Sequence, residues 1–487
     1  MTGNQTNSNE VNEKPGKQSS APAADRVVSP SFRGIIGVGR ADVTPPAGIF
    51  SRTWGAARHE VSEGVHKPFF VSALTLQASP GDTPLVVVAL DGSWWQSQED
   101  EKSFRGRLLE RFDLPPTHLI INLSHTHAGP PLVLANEDRP GGEYVRPYFE
   151  KLHQATSEAI DQALGSSREG VLSWQTGSSD LATNRDLPDP AKSRYVTGLN
   201  PRAKADDTVL VGRIASPDGN VRGTIVNYAC HPTTLAWDNR LLSPDYVGAM
   251  RETVEANTGG VPCLFLLGAC GELAPGHQYT GDAKVADSHG RRLGFSALAA
   301  LEAMLPPDQE LVYQGVVESG APLAVWLPQK AAIEPSAVEA TTIEVEVDIK
   351  AELPSVAELE TDLERCEDPV LHERMQRKLR LRRTMGDSPS YPVPVWVAKA
   401  GKTLFVGGPV EAYSAWQVEL RAAFPDHAVV VMNLANGAFG YLPPKEHYRH
   451  DIYSVWQTPF DAGGLESLLE KSTAQAARLV VPGAKAS

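Results

Sequence analysis

His125 and His127 stand one residue apart in NLSHTHAGPP, where an apolar run gives way to a Gly-Pro-Pro turn. On an extended chain residues i and i+2 point to the same side, so both imidazoles can face one cleft. A third histidine, His231 in NYACHPTT, also follows an apolar run and precedes a proline. A single histidine in such a place is usually structural. HTH and HP at two predicted strand ends together favour a metal site. Neutral imidazole suits zinc, and a catalytic zinc takes about three protein ligands and keeps one position open. A carboxylate would complete the set. Glu411 in GGPVEAYSAW follows a predicted strand and a Gly-Gly-Pro turn, so its side chain can point back at the same cleft. Asp91 in VVVALDGSWW and Asp245 in LLSPDYVG also end apolar runs, where a charge needs a partner. Asp91 is a candidate to orient a histidine through its second ring nitrogen; for both aspartates a cap or turn acceptor is the alternative. No GxSxG elbow signals a serine nucleophile.

The elements that must carry these residues alternate along the chain. GIIGVGRADVT reads as an opening strand, and FFVSALTLQA and PLVVVALDG as a strand pair across the turn ASPGDT. Residues 99–113 and the segment YFEKLHQATSEAIDQALG have helical period, and THLIINLS is a buried strand ending at His125. Strands recur at VLVGRIA, GTIVNYAC and PCLFLLGAC, with helices near 246–257 and 284–304. PVPVWVAKAGKTLFVGG reads as a hairpin, HAVVVMNLA as a strand, and 465–480 as a closing helix. Residues 353–386 are a charged helical excursion, broken near Pro369. The expected organisation is a polar tail over 1–33 and a single large catalytic domain over 34–480.

Bulk properties bound the partners. With 487 residues and 41% hydrophobic content the chain can bury a large core. A net charge of −14, with no basic block standing out, argues against nucleic acid and anionic membrane surfaces as main partners. Four cysteines without CxxC spacing build no disulfide framework. No run of about 18 apolar residues offers a transmembrane segment. The first 30 residues contain no apolar stretch of signal-peptide type, so a cytoplasmic location is the simplest expectation, with export left open. The oligomeric state is not legible.

The motifs NLSHTHAGP, NYACHPTT, SPDYVG, GACGELAP and GPVEAY, with GVGRADVTPP and EGVHKPFFVSAL near the start, resemble the neutral/alkaline non-lysosomal ceramidase family over roughly residues 34–470. The resemblance implies an α/β fold of two packed β-sheets flanked by helices. It also implies a zinc-dependent amidase that cleaves the N-acyl bond of ceramide to a sphingoid base and a fatty acid. By the same resemblance His125, His231 and Glu411 match the zinc ligands. His127 matches the active-site histidine beside the scissile amide, and Arg185 in LATNRDLP an active-site arginine. Such chemistry is coherent in itself. Zinc makes water acidic near neutral pH and polarises the carbonyl, Arg185 and His127 are oxyanion donors, and a histidine can protonate the departing amine.

The pattern also departs from the family. In NLANGAFGYLPP, alignment on Asn436 puts Ala438 where the family has a zinc-ligating tyrosine, and Tyr441 at a second tyrosine; either Tyr441 reaches in to replace it or a water fills the position. Gly268 replaces a serine, and Glu272 an aspartate. The family's immunoglobulin-like C-terminal domain is not expected here. Three readings follow: a zinc amidohydrolase acting on an N-acyl lipid, a hydrolase of another amide or an ester, and an inactive relative that binds a metal or ligand. Trp54, Trp94, Trp95 and Trp237 are candidates for an acyl pocket or for core.

Overall fold

The computed structural model describes residues 25–331 and 337–481. They divide into two compact units, one formed by 25–28 with 309–331 and one by 29–308 with 337–481. The smaller unit is a three-stranded antiparallel sheet in which Arg26–Val27 pairs with Gln309–Glu318, itself paired with Pro322–Lys330. The sequence reading missed this division, because the unit joins segments far apart in the chain. Of the polar tail read at 1–33, residues 1–24 lie outside the described residues. The rest includes the start of a long strand, Ser31–Asp42, which begins there because Phe32 is fully buried.

The larger unit holds two sheets. The first has eight strands in the order Cys263–Leu267, Val221–Tyr228, Thr208–Ala215, Arg168–Ser178, Ser31–Asp42, Phe70–Gln77, Leu85–Leu90 and Leu119–Leu123. The second has four: Val338–Asp348, Ser390–Ala400, Thr403–Gly407 and Ala428–Met432. Phe32, Trp174, Leu210 and Leu264 of the first sheet pack on Trp396, Phe405 and Val430 of the second, so the sheets share one core. Helices cover the outer faces. They are α1 (Gln98–Phe112), α2 (Val145–Ser166), α3 (Tyr246–Ala256), α4 (Ala283–Glu302), α5 (Val356–Arg365), α6 (Pro369–Met385), α7 (Ala415–Ala423), α8 (Tyr453–Gln457) and α9 (Gly464–Val480). Helices α2, α3 and α4 pack on the first sheet, and α7 and α9 on the second. Two packed sheets flanked by helices is the expected fold. LVVVAL, a run apolar on both faces, is the composition that a strand buried on both sides requires.

Three parallel pairs determine where chemistry can sit: Leu85–Leu90 with Leu119–Leu123, Val221–Tyr228 with Cys263–Leu267, and Thr403–Gly407 with Ala428–Met432. Loops leaving the carboxyl ends of parallel strands form the usual ligand crevice of α/β folds. Buried asparagines draw these ends together. Asn122 accepts from Leu267 N (2.7 Å) and donates to Asn433 O (2.6 Å), which joins both edges of the first sheet to the second. Asn227 donates to Leu266 O and Val431 O, both at 2.9 Å. Asn436 accepts from Ile121 N (2.8 Å). Because buried amides must be paired, these bonds fix the approach of the strand ends rather than merely permit it.

Candidate metal centre

Residues 124–127 leave the strand Leu119–Leu123, and residues 229–233 leave Val221–Tyr228. Glu411 lies in the short strand Glu411–Ala412, paired in parallel with Tyr441–Leu442 so that Glu411 is opposite Tyr441. The curl that brings the edge strands together therefore delivers His125, His231 and Glu411 to one point. Candidate ligand atoms of these three buried residues lie within 4.8 Å of one another.

Their hydrogen bonds decide what they can hold. His125 Nδ1–H donates to Ser93 O (3.2 Å), and His231 Nδ1–H donates to Leu273 O (3.0 Å). Each bond fixes the tautomer, which leaves a lone pair on Nε2. Those lone pairs meet Glu411 Oε2 at 3.4 and 3.0 Å. Burial, then the nearby Arg185 charge, pushes His231 down to about 4, so its ring is neutral near pH 7. Two lone pairs and one carboxylate converge, an arrangement a divalent cation satisfies. Two ligand bonds of about 2.0–2.1 Å at a tetrahedral angle put ligand atoms about 3.3 Å apart, close to these separations. His125, His231 and Glu411 fit a zinc ion.

His127 sits beside this group. Its ring centroid is 4.8 Å from that of His125 and 6.3 Å from that of His231. Its Nε2 is buried without a hydrogen-bond partner. Burial, followed by the neighbouring His125 and His231, pushes its pKa well down. The extended geometry expected for HTH does not hold, since the strand ends at Leu123 and His125 has a left-handed φ of 66°. The two rings converge because the chain turns, not because it alternates. Trp54 and Trp94 flank His127 with centroids 5.2 and 5.1 Å away, and Trp237 and Tyr279 pack on Trp54. Trp95 alone of the four tryptophans named from the sequence is core, at 1% exposure.

Arg185 and Tyr441 complete the wall. Arg185 Nη2 donates to Gly271 O (2.7 Å) and to the Tyr441 hydroxyl (3.1 Å). The Tyr441 ring stacks on His231 with centroids 6.4 Å apart. Burial, then the Glu411 carboxylate, pushes the Tyr441 phenol well up, so it keeps its proton. Ala438 is partly buried in the first core, and its carbonyl accepts from Gln98 Nε2 (3.1 Å). Tyr441 is thus the tyrosine at the site.

Other expectations are corrected. Asp91 orients no histidine. Its carboxylate accepts from Arg251 Nη2 (2.8 Å) and Phe70 N (2.9 Å), a buried ion pair under the sheet. The histidines use backbone carbonyls in its place, which carry no sequence signal. Asp245 is the turn acceptor, taking Leu235 N (2.8 Å) and Tyr246 N (2.6 Å). Gly268 leaves no room for a serine, since a Cβ there would lie 2.6 Å from Gln417 Oε1. Tyr279 and Tyr453 were missed; Tyr453 packs on Tyr441 at 5.7 Å. A cleft of about 770 Å³ beside Arg291, Arg292 and Phe295 of α4 contains none of these residues.

Glu272 is buried and accepts from Ser414 N at 2.9 and 3.1 Å, and burial pushes its pKa up to about 7. An acid raised on folding stabilises the protein at low pH, and this contribution is lost as pH rises from about 4.5 through 7. Glu272→Gln is therefore expected to flatten that decline by roughly 1–3 kcal/mol, measured by urea unfolding across pH 4.5 to 8. Parallel pH profiles for both proteins would contradict it.

Residues 35–263, which include His125, His127, Arg185 and His231, match the family model described as neutral/alkaline non-lysosomal ceramidase, N-terminal. The matched segment is a little under half of the chain, and over it the sequence is similar to this family. Glu411 and Tyr441 lie outside the matched segment and meet these residues through the fold alone. Neutral ceramidase 1 of Arabidopsis thaliana is 28% identical over 240 residues, 46% of this chain and 30% of that protein. Neutral ceramidase of Drosophila melanogaster is 26% identical over 231 residues, 46% of this chain and 32% of that protein. The aligned part spans about a third of the length of these curated relatives. The neutral ceramidase from Pseudomonas aeruginosa superimposes with a TM-score of 0.65 at 18% identity, covering 95% of this chain and 76% of that one. A ceramidase complexed with C2 gives a TM-score of 0.67 at 17% identity, covering 94% and 77%. The ceramidase fold is therefore shared.

Proposed function

We propose that the chain is a zinc-dependent amidohydrolase that cleaves an N-acyl amide, with a ceramide-type lipid as the leading substrate. One observation carries the reading: the two histidine lone pairs meeting the Glu411 carboxylate beside an unpartnered His127. Similarity to the family supports the bond class, since the relatives the chain resembles are neutral ceramidases.

Zinc held by His125, His231 and Glu411 supplies a Lewis acid that polarises the amide carbonyl and makes water acidic. His127, kept neutral by burial, takes the proton of the attacking water at Nε2 and returns it to the departing amine nitrogen. Tyr441 accepts a hydrogen bond from Arg185, so its own hydroxyl proton remains free to donate to the developing oxyanion. Arg185 is held in place by Gly271 O and adds positive charge there. Trp54, Trp94, Trp237 and Tyr279 form an aromatic wall that excludes water around His127 and offers apolar surface to the substrate. Hydrolysis of another amide or an ester uses the same groups; the Ala438 position favours keeping that second reading.

The test is release of fatty acid from N-acyl amides, short-chain ceramide among them, by zinc-loaded protein. Activity is expected to vanish on chelation and to return with zinc. Zinc-loaded protein that cleaves none of a panel of N-acyl amides and esters would overturn the proposal in favour of an inactive relative.

A further inference from the structure

The proposed reaction leaves α6 unexplained. This helix carries Arg374, Arg377, Lys378, Arg380, Arg382 and Arg383 against one carboxylate, Glu373, in a chain of net charge −14. The acidic total hid this block from the reading of composition. Arg374, Arg377 and Arg380 recur every third residue and so share one helix face.

That face borders both walls of the site. The Arg374 guanidinium lies 5.8 Å from the Trp456 ring centroid. Trp456 packs on Tyr453 (4.9 Å) and Tyr453 on Tyr441 (5.7 Å), the tyrosine opposite Glu411. Arg380 Nη2 donates to Gln96 Oε1 (3.3 Å), two residues from Trp94, which flanks His125 and His127. The helix therefore bridges the aromatic wall and the tyrosine wall.

These arginines are poorly paired. Among the described residues no carboxylate stands within ion-pair distance of Arg374, Lys378 or Arg380, and Arg377 reaches Glu373 one turn earlier at 3.5 Å. The Nε atoms of Arg377 and Arg380 are buried without a hydrogen-bond partner. Arg382 and Arg383 reach Asp387 and Glu360, although the Nε and Nη1 of Arg382 are also buried without a hydrogen bond. Buried N–H donors without acceptors cost stability, and so do like charges on one face. A guanidinium row at a cleft focuses its field on an incoming anion and matches the oxygens of a carboxylate, sulfate or phosphate.

We propose that the Arg374–Arg377–Arg380 face of α6 binds an anionic group carried by the substrate, which narrows the ceramide-type reading to N-acyl lipids that bear such a group. The inference rests on the hydrolase reading of the adjoining site.

The experiment compares N-lauroylglycine with N-lauroylglycinamide, which differ in charge, binding to the full chain by calorimetry. The acid is expected to bind roughly tenfold more tightly, with the advantage shrinking in high salt. In Arg374→Gln/Arg377→Gln/Arg380→Gln the ratio should fall to near one. Arg374 is exposed, so Arg374→Gln alone should show part of the loss even where the triple variant folds poorly. Equal affinities in the wild type, or a preference that survives the substitutions, overturn the proposal. So does loss, in the variants, of binding to phosphatidylserine vesicles when the two soluble amides bind equally, an outcome that assigns the face to a membrane. Turnover of the same pair separates the two readings. A charge preference without hydrolysis supports the anion site and counts against the hydrolase, whereas hydrolysis of both at equal kcat/KM does the reverse.

Discussion

His231→Ala is expected to lower kcat/KM on any amide the protein cleaves by roughly three orders of magnitude or more, because on the proposed function it would remove one of three ligands from a catalytic metal. The expectation follows from how the ring is held. His231 is fully buried, its backbone N–H donates to Leu273 O (2.9 Å), and its Nδ1–H donates to the same carbonyl. Truncation removes the ring but leaves the loop anchored by its backbone bond. What remains is His125 and a carboxylate whose charge has lost a partner 3.0 Å away. The pH dependence has a definite sign. Protons compete with metal for imidazole, and His231 titrates near 4, so wild-type activity limited by metal should persist through mildly acidic pH and fail as pH drops toward that value. Steady-state kinetics at saturating zinc checks the first claim, and a variant within tenfold of wild type would remove His231 from the ligand set.

His127→Ala is expected to keep its metal and still slow kcat by roughly two to four orders of magnitude, the range of a lost general acid–base. The two histidines of HTH thus part company. Both Nε2 atoms are buried without a hydrogen bond, but that of His125 lies 3.4 Å from Glu411 Oε2 and its Nδ1 is committed to Ser93 O, whereas among the described residues no carboxylate stands within ion-pair distance of His127. Alanine leaves a slot between Trp54 and Trp94, whose rings flank the imidazole. Added imidazole should therefore restore part of the rate, which a purely structural histidine would not show. Full activity, or metal lost together with activity, would contradict the division of labour.

The residues that the structure gathers at this point were legible, whereas the means of gathering them were not. A histidine where an apolar run meets a turn is visible in a string of letters, and HTH, CHP and GPVE each have that form. The curl that joins Asn122 to Leu267 across eight strands is a property of the sheet, with no local signature. Asp91 shows the converse error. Its position after VVVALD correctly demanded a partner, but the nearest cation turned out to be Arg251 on α3, 160 residues away in sequence. The same limit hid Tyr279 and Tyr453, whose places beside Trp54 and Tyr441 leave no local pattern. Leu85–Leu90 was found as an uninterrupted apolar run, and α4 because its apolar spacing repeats. The three-stranded unit was missed because one of its strands comes from the other end of the chain.

Metal content bears most directly on the central claim, that His125, His231 and Glu411 hold a catalytic zinc. Elemental analysis of the purified full chain, wild type beside Glu411→Ala, is expected to find about one zinc per chain in the first and little in the second. Zinc retained in full by Glu411→Ala, or a wild type that takes up none when zinc is supplied, would contradict it.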